Sequence, residues 1–352
     1  MRARVSRTAA VLLICLAAAW SAVAQDLPRV RLVATGGTIS NKTGGRLTAE
    51  ELVALMPGVD RYAKPEFEQF ANVASGQITL DQWLGLAKRI NDVFKSEPAL
   101  AGVVVTSGTD TLEELAYFLD LTVRADRPVV VVGSMRNPST LGYEGAANLL
   151  DAFRVAATPD ARGRGVMVVL NDTINAAREV TKTDTLRLDT FQTRGYGILG
   201  VADADRIVFY RKVERKHTAA SEFDIANVTA LPRVDILMTY QGAPGDLIKA
   251  AVDAGAKGIV VATAGAGATS GTQQDGIAYA AEKGVFVVSS ARAGSGRIPA
   301  RLRPADAQPA NARFEHLIQG EDLSPVKARI LLMLALTKTQ SGADIQRMFL
   351  EY

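Results

Sequence analysis

Two short threonine-bearing segments hold the side chains of this sequence best suited to acyl transfer. The first, Ala34-Thr35-Gly36-Gly37-Thr38-Ile39, follows the apolar run Val30–Val33. The second, Thr106-Ser107-Gly108-Thr109-Asp110-Thr111, follows Gly102–Val105. A hydroxyl at the carboxyl end of a strand, beside glycines, exposes its oxygen where a substrate can approach the backbone closely. Such a hydroxyl is a weak nucleophile until a base is positioned against it. Asp110 supplies a carboxylate next to Thr109. Lys182, in Val180-Thr181-Lys182-Thr183-Asp184, reads locally as a surface lysine. It becomes a base only where burial or a neighbouring cation lowers its pKa.

Each of these residues also has a plainer reading. Thr35-Gly36-Gly37-Thr38 is a tight turn in which glycine supplies positive φ. A strand followed by Gly-Gly suggests a phosphate loop, but neither a Gly-Lys-Ser/Thr ending nor a G-x-G-x-x-G run follows, so a nucleotide site has little support. Thr111-Leu112-Glu113-Glu114 reads as a capping box opening a helix, and Asp110 suits a helix amino terminus on dipole grounds alone. With Thr111 as the cap, Thr109 and Asp110 are free to project into a cleft where helix N–H groups hold an anionic group or oxyanion. Ser75, after the strand-like Phe70–Ala74 and before Gly76, is either a turn residue or a carboxylate donor.

The elements that must position these residues alternate. Strand-like runs stand at Val30–Val33, Val103–Thr106, Pro128–Val132, Val166–Leu170, Asp235–Tyr240, Gly258–Ala262 and Val285–Ser289. They are nearly continuous in Val and Ile, as in parallel strands covered on both faces. Helical stretches lie between them at Leu80–Phe94, Leu112–Val123, Gly145–Ala157, Gly245–Ala254 and Gln273–Lys283, with Ile330–Thr339 and Gly342–Leu350 closing the chain. The rhythm predicts two doubly wound α/β domains. The charged segment 211–233 breaks it and reads as a connection between a larger domain over 26–210 and a smaller one over 234–352. No internal repeat is visible.

Residues 1–24 read as a cleaved secretory signal: Arg2, Arg4 and Arg7, then the apolar Ala9–Ala19, then Ala22-Val23-Ala24. The apolar stretch is far short of the roughly 20 residues of a spanning helix, so no membrane association is expected after cleavage. Of the 352 residues, 48% are apolar, enough for two substantial cores. The formal charge is +3, and removal of the three signal arginines brings it to zero. A neutral chain without a long basic run argues against nucleic acid as a partner. The single cysteine, Cys15, lies in the signal, so the mature chain has no disulfide or thiolate metal site. With only His217 and His316, a histidine-rich zinc site and a Ser-His-Asp triad both have little to draw on.

Over the whole mature length the chain resembles the bacterial type II, signal-bearing L-asparaginases, including the glutaminase-asparaginase branch. The likeness rests on Leu32-Val33-Ala34-Thr35-Gly36-Gly37-Thr38-Ile39, Thr109-Asp110-Thr111-Leu112-Glu113-Glu114, Val132-Gly133-Ser134-Met135-Arg136, Leu170-Asn171-Asp172-Thr173, Val180-Thr181-Lys182-Thr183, Arg215-Lys216-His217-Thr218 and Lys327-Ala328-Arg329-Ile330, in that order. The resemblance implies hydrolysis of asparagine to aspartate and ammonia in the periplasm by a homotetramer whose sites form between subunits. No cofactor or metal is implied, and glutamine is a secondary substrate. It implies Thr35 as nucleophile and a Thr109–Asp110–Lys182 relay. Substrate contacts are implied at Ser75, Gly76, Gly108, Thr109, Asp110 and Ser134: Asp110 for the α-ammonium, Ser75 for the α-carboxylate, the Thr109 N–H for the oxyanion and the Ser134 carbonyl for the amide.

The sequence departs from the family at four places. Ser107 stands where the motif usually has histidine, and Gly76 where a glutamine usually follows the carboxylate-binding serine. The lid Ser40-Asn41-Lys42-Thr43-Gly44-Gly45-Arg46 is short, with Lys42 at the place of the lid tyrosine and Tyr62 the nearest tyrosine downstream. Gly265-Ala266-Gly267-Ala268-Thr269-Ser270 replaces an asparagine-rich loop, and the acidic residue usually contributed by a neighbouring subunit has no assigned position after Gly294. A retained centre within an altered rim predicts an amidohydrolase whose KM or substrate preference differs from high-affinity members. A periplasmic amino-acid binding protein is the alternative reading, since it too combines a signal with two α/β domains.

Overall fold

The computed structural model describes residues 26–300 and 315–352. The signal segment lies outside the described residues. Strands β1 (Arg29–Gly36), β4 (Lys64–Val73), β5 (Leu100–Thr106), β6 (Val129–Val132) and β7 (Val166–Leu170) pair in parallel in the order β4-β1-β5-β6-β7. The sheet continues antiparallel through β8 (Thr173–Ala176), β11 (Gly200–Ala202) and β12 (Ile207–Phe209), a mixed edge that the sequence reading did not anticipate. Two short hairpins stand apart from it: β2 (Asn41–Lys42) with β3 (Gly45–Arg46), and β9 (Thr181–Lys182) with β10 (Phe191–Gln192). The second sheet is parallel, β13 (Val234–Met238), β14 (Gly258–Thr263), β15 (Phe286–Ala291) and β16 (Leu317–Gln319).

The unbroken apolar character of the central strands follows from cover on both faces. Val103, Val105, Val129 and Val131 join one core, while Val104, Val130 and Val132 join the other. Successive side chains point to opposite faces, so a strand buried on both must be apolar throughout. The first core packs against α2 (Leu80–Ser96) and α3 (Leu112–Thr122), and the second against α1 (Ala49–Ala54) and α4 (Gly145–Ala157). Beyond them lie α5 (Asp246–Asp253), α6 (Gln273–Glu282), α7 (Pro325–Leu336) and α8 (Gly342–Glu351). Helix α7 is apolar around most of its circumference, with Ile330 to Ala335 all buried. It packs on α3 on one side and on β13, β14 and β15 on the other, so one apolar core runs from the first sheet into the second.

Several element limits differ from the expectation for identifiable reasons. The strand foreseen at Phe70–Ala74 is the carboxyl end of the ten-residue β4, whose first half, Lys64-Pro65-Glu66-Phe67-Glu68, is polar because β4 is the sheet edge. The helix foreseen from Ile330 begins at Pro325, which suits a first helical turn, and ends at Leu336. The strand foreseen at Asp235–Tyr240 is β13, shifted toward Val234. The capping box expected at Thr111 does not form: Thr111 precedes α3 without a side-chain cap, and Glu114, the residue that would reach back to it, lies 3.8 Å from Arg329. Genuine capping boxes open α1 at Thr48/Glu51 and α2 at Thr79/Gln82.

Candidate active site

Parallel strands deliver their carboxyl ends to one edge of the sheet, and four loops converge there. Ala34 on β1 is in register with Thr106 on β5, and Thr106 with Val132 on β6, so Thr35, Ser107 and Gly133 emerge side by side. Gly36 and Gly37 sit at φ +105° and +91°, where L side chains are strained. A Cβ on Gly37 would lie 2.3 Å from the Gly108 nitrogen, one on Gly108 2.8 Å from Ser75 Oγ, and one on Gly133 2.6 Å from the Ser107 carbonyl oxygen. The loops bearing Thr35, Ser75, Thr109 and Ser134 therefore meet backbone to backbone, with no space for any other residue at these glycines. The Gly37 N–H donates to the Val73 carbonyl at 2.9 Å, tying the first loop to the end of β4.

Thr109, Asp110 and Lys182, remote in sequence, are brought into contact. Lys182 Nζ donates to Thr109 Oγ1 at 3.1 Å and to Asp110 Oδ1 at 2.7 Å. Thr109 is buried, while the Asp110 side chain is 82% exposed, so the cluster has a closed floor and a carboxylate open at its mouth. With Thr109 Oγ1 accepting from the ammonium, its own proton is free to reach an incoming oxygen. Glu113 Oε1 accepts from Thr181 Oγ1 at 3.0 Å and from the Lys182 N–H at 3.2 Å. It holds the lysine's strand to the helix that follows Asp110, a role that leaves no local signal in the sequence.

Thr35 is buried beside this cluster but bonded differently. Its Oγ1 donates to the Thr106 carbonyl at 2.6 Å, and its N–H donates to Thr106 Oγ1 at 3.1 Å. A backbone carbonyl anchors a hydroxyl proton but does not remove it, so attack by Thr35 requires the hydroxyl to turn toward a base. Ser75 is buried at the start of a 3-10 turn, Ser75–Gln77. Gly76 is exposed, and a Cβ placed on it would have no atom within 4 Å, so sterics do not demand glycine there. Ser134 is fully buried and donates to the Arg136 carbonyl at 2.7 Å. Asn148 Nδ2 donates to the Gly133 carbonyl at 3.0 Å, and Glu144 accepts from the Met135 and Arg136 N–H groups; these two residues, which fix the Ser134 loop, were not foreseen. The buried Ser107 donates to the Gly108 carbonyl at 3.2 Å, so the position usual for histidine is filled by a short hydroxyl turned onto its own loop.

Over the first loop stands the β2–β3 hairpin. Lys42 is drawn to Glu51 on α1, with Nζ 3.0 Å from Oε1. Tyr62 stands before β4, at the opposite edge of the sheet, with the Arg154 guanidinium 5.1 Å from its ring centre. The tyrosine that does reach the first loop is Tyr143, whose hydroxyl donates to the Ile39 carbonyl at 2.8 Å. Burial pushes its pKa well above the usual tyrosine range, which keeps it a donor. No group of three or more His, Cys, Asp or Glu side chains suited to a metal occurs among the described residues.

Comparison with known proteins locates this arrangement. Residues 29–215 match the family model described as asparaginase, N-terminal, and residues 233–349 match the glutaminase/asparaginase C-terminal domain. The chain is 44% identical over 338 residues to L-asparaginase 2 of Bacillus subtilis, covering 93% of this chain and 88% of that one. It is 35% identical over 336 residues to the glutaminase-asparaginase of Pseudomonas fluorescens, covering 93% and 91%. The crystal structure of a probable cytoplasmic L-asparaginase from Campylobacter jejuni superposes with a TM-score of 0.85 at 39% identity, covering 92% of this chain and all of that one.

Proposed function

The chain belongs to the asparaginase family, and from that premise we propose that it is an amidohydrolase converting L-asparagine to L-aspartate and ammonia, with L-glutamine as a secondary substrate. The observation that carries the reading is the double hydrogen bond of Lys182 Nζ to Thr109 and Asp110, beside the buried hydroxyl of Thr35. The Thr35 oxygen attacks the side-chain amide carbon, its proton passes to the departing nitrogen, and ammonia leaves an ester on Thr35. Water then adds to the ester under the Thr109–Lys182–Asp110 cluster and restores the threonine hydroxyl. The Thr109 N–H stabilises the oxyanion. Asp110 receives the α-ammonium, Ser75 and the backbone at Gly76 and Gly108 receive the α-carboxylate, and the Ser134 carbonyl meets the amide. The scheme uses no metal or cofactor.

The wider setting is part of the proposal. The basic, apolar and small-residue succession over residues 1–24 supports export and a periplasmic site of action, which distinguishes this chain from the relative described as cytoplasmic. The family supports a homotetramer, and the two matched family spans support a division of the mature chain near 211–233. The absence of a side chain at Gly76 and the engagement of Lys42 by Glu51 support a KM or substrate preference unlike that of high-affinity members.

The test is ammonia release by the chain lacking residues 1–24, on L-asparagine and L-glutamine side by side. Release from asparagine is expected to fall at least about 10³-fold in Thr35→Ala with folding intact. A fully active Thr35→Ala enzyme refutes the nucleophile, and tight asparagine binding without release turns the reading to a binding protein.

A further inference from the structure

Lys182 lies on a two-residue strand that pairs only with β10, outside the main sheet. The sheet that fixes Thr35 and Thr109 therefore does not fix the lysine. Its support comes from α7, about 145 residues further along the chain. Lys327, in the first turn of α7, is 2% exposed, and its Nζ donates to the Arg178 carbonyl at 3.0 Å and to the Val180 carbonyl. Those carbonyls lie in the segment running directly into Lys182. Lys327 Nζ also lies 3.9 Å from Glu113 Oε2, a buried oxygen with no hydrogen-bond partner, while Glu113 Oε1 holds Thr181 and the Lys182 N–H. The same segment is gripped a second time: Arg178 makes a bidentate, nearly buried ion pair with Asp322, at 2.7 and 2.8 Å.

We propose that Lys327 and Glu113 are positioning residues of the reaction: across the domain boundary, they clamp the Arg178–Lys182 segment so that Lys182 Nζ meets Thr109 and Asp110 together. The inference rests on the assignment of Lys182 to the reacting cluster. The pairing is costly to keep unless it serves something. Burial drives the Lys327 pKa down to about 8, against the pull of Glu113. A cation is nonetheless placed where apolar neighbours on α7 would fill the space. Its ammonium donates to two backbone carbonyls and sets its charge 3.9 Å from the Glu113 carboxylate, which no apolar residue can do. Displacement of a reacting group by about 1 Å costs on the order of 10²-fold in rate, so the clamp acts on turnover more than on substrate capture.

The experiment measures kcat and KM for asparagine against pH in the full mature enzyme for Lys327→Met, Thr181→Val and Lys182→Met, with near-UV circular dichroism on each. Lys327→Met and Thr181→Val are expected to lower kcat about 10- to 100-fold with KM within about threefold, and to move the kcat pH profile by about half a unit or more, as a displaced acid–base group does. Glu113→Gln, whose amide oxygen still accepts the Lys182 N–H, is expected to recover part of what Glu113→Ala loses. A purely structural role would reduce activity only with the folded fraction and leave the profile in place; that result overturns the clamp. If Lys327→Met does not fold, Thr181→Val decides by the same criteria. Wild-type kcat in Lys182→Met overturns the assignment of Lys182 and the clamp with it, whereas an inactive Lys182→Met beside unaltered Lys327→Met and Thr181→Val overturns the clamp alone.

Discussion

The floor of the site and the hairpin above it are consecutive stretches of one segment, built on opposite terms. At Thr35-Gly36-Gly37 the backbone touches β4 on one side and the Gly108 loop on the other, and every glycine there is fixed by an atom a Cβ would strike. A few residues later, Lys42-Thr43-Gly44-Gly45 stands clear, with nothing within 4 Å of a Cβ on either glycine. Its ties are few: Tyr143 to the Ile39 carbonyl, Ser139 Oγ to the Thr43 N–H at 2.8 Å, Arg46 to the Gly37 carbonyl at 3.3 Å and Lys42 to Glu51. The floor is held by close packing, which tolerates no added volume, and the hairpin by single hydrogen bonds, each worth about 1 kcal/mol. On the function proposed above, chemistry that needs fixed distances belongs to the first, and the choice of substrate to the second.

Substitutions separate the two. The largest effect is expected at Gly37→Ala, where positive φ and a 2.3 Å clash with the Gly108 nitrogen coincide. Such overpacking costs about 1–3 kcal/mol and parts the two threonine loops, which predicts a loss of kcat of at least about 100-fold. Near-normal kcat there would mean that the floor yields and would erase the contrast. Tyr143→Phe removes the hydroxyl but keeps the ring, costing about 1 kcal/mol in thermal or urea unfolding. Its KM is expected to rise a few-fold with kcat nearly unchanged; a kcat effect instead would make Tyr143 part of the reacting set. The smallest effect is expected for Lys42→Ala, below about 0.5 kcal/mol, because both partners of its ion pair are substantially exposed. A change in kcat in that variant would mean that Lys42 leaves Glu51 and enters the site.

The division between floor and rim also decided what could be read from residues alone. The central strands were legible because burial on both faces leaves an unbroken Val and Ile run, as in Val129–Val132. The polar half of the edge strand β4 was not, since an exposed edge keeps no such run, and neither were β8, β11 and β12, which at three or four residues are too short to show a periodicity. Thr35 and Thr109 were visible as hydroxyls beside glycine at strand ends. Lys182 was not, because its surroundings come from α3 and α7, about 70 and 145 residues away in sequence. The capping box was misread: Thr111-Leu112-Glu113-Glu114 has the right residue types, but Thr111 makes no side-chain cap, Glu114 faces Arg329, and Glu113 is claimed by Thr181 and Lys182. Tyr143 carried no local signal, since its partner is a backbone carbonyl, and backbone atoms leave no trace in residue identity.

The open tip of the hairpin makes lid length an inexpensive variable. Gly44 turns at φ +81° over empty space, so residues inserted there extend outward and displace nothing beneath them. Doubling such a loop costs only about 0.6 kcal/mol of closure entropy. A longer lid, including one carrying an aromatic hydroxyl down toward Thr35, is therefore an insertion in this turn and not a different fold. At this turn, cover over the site can be gained or lost by insertion and deletion alone.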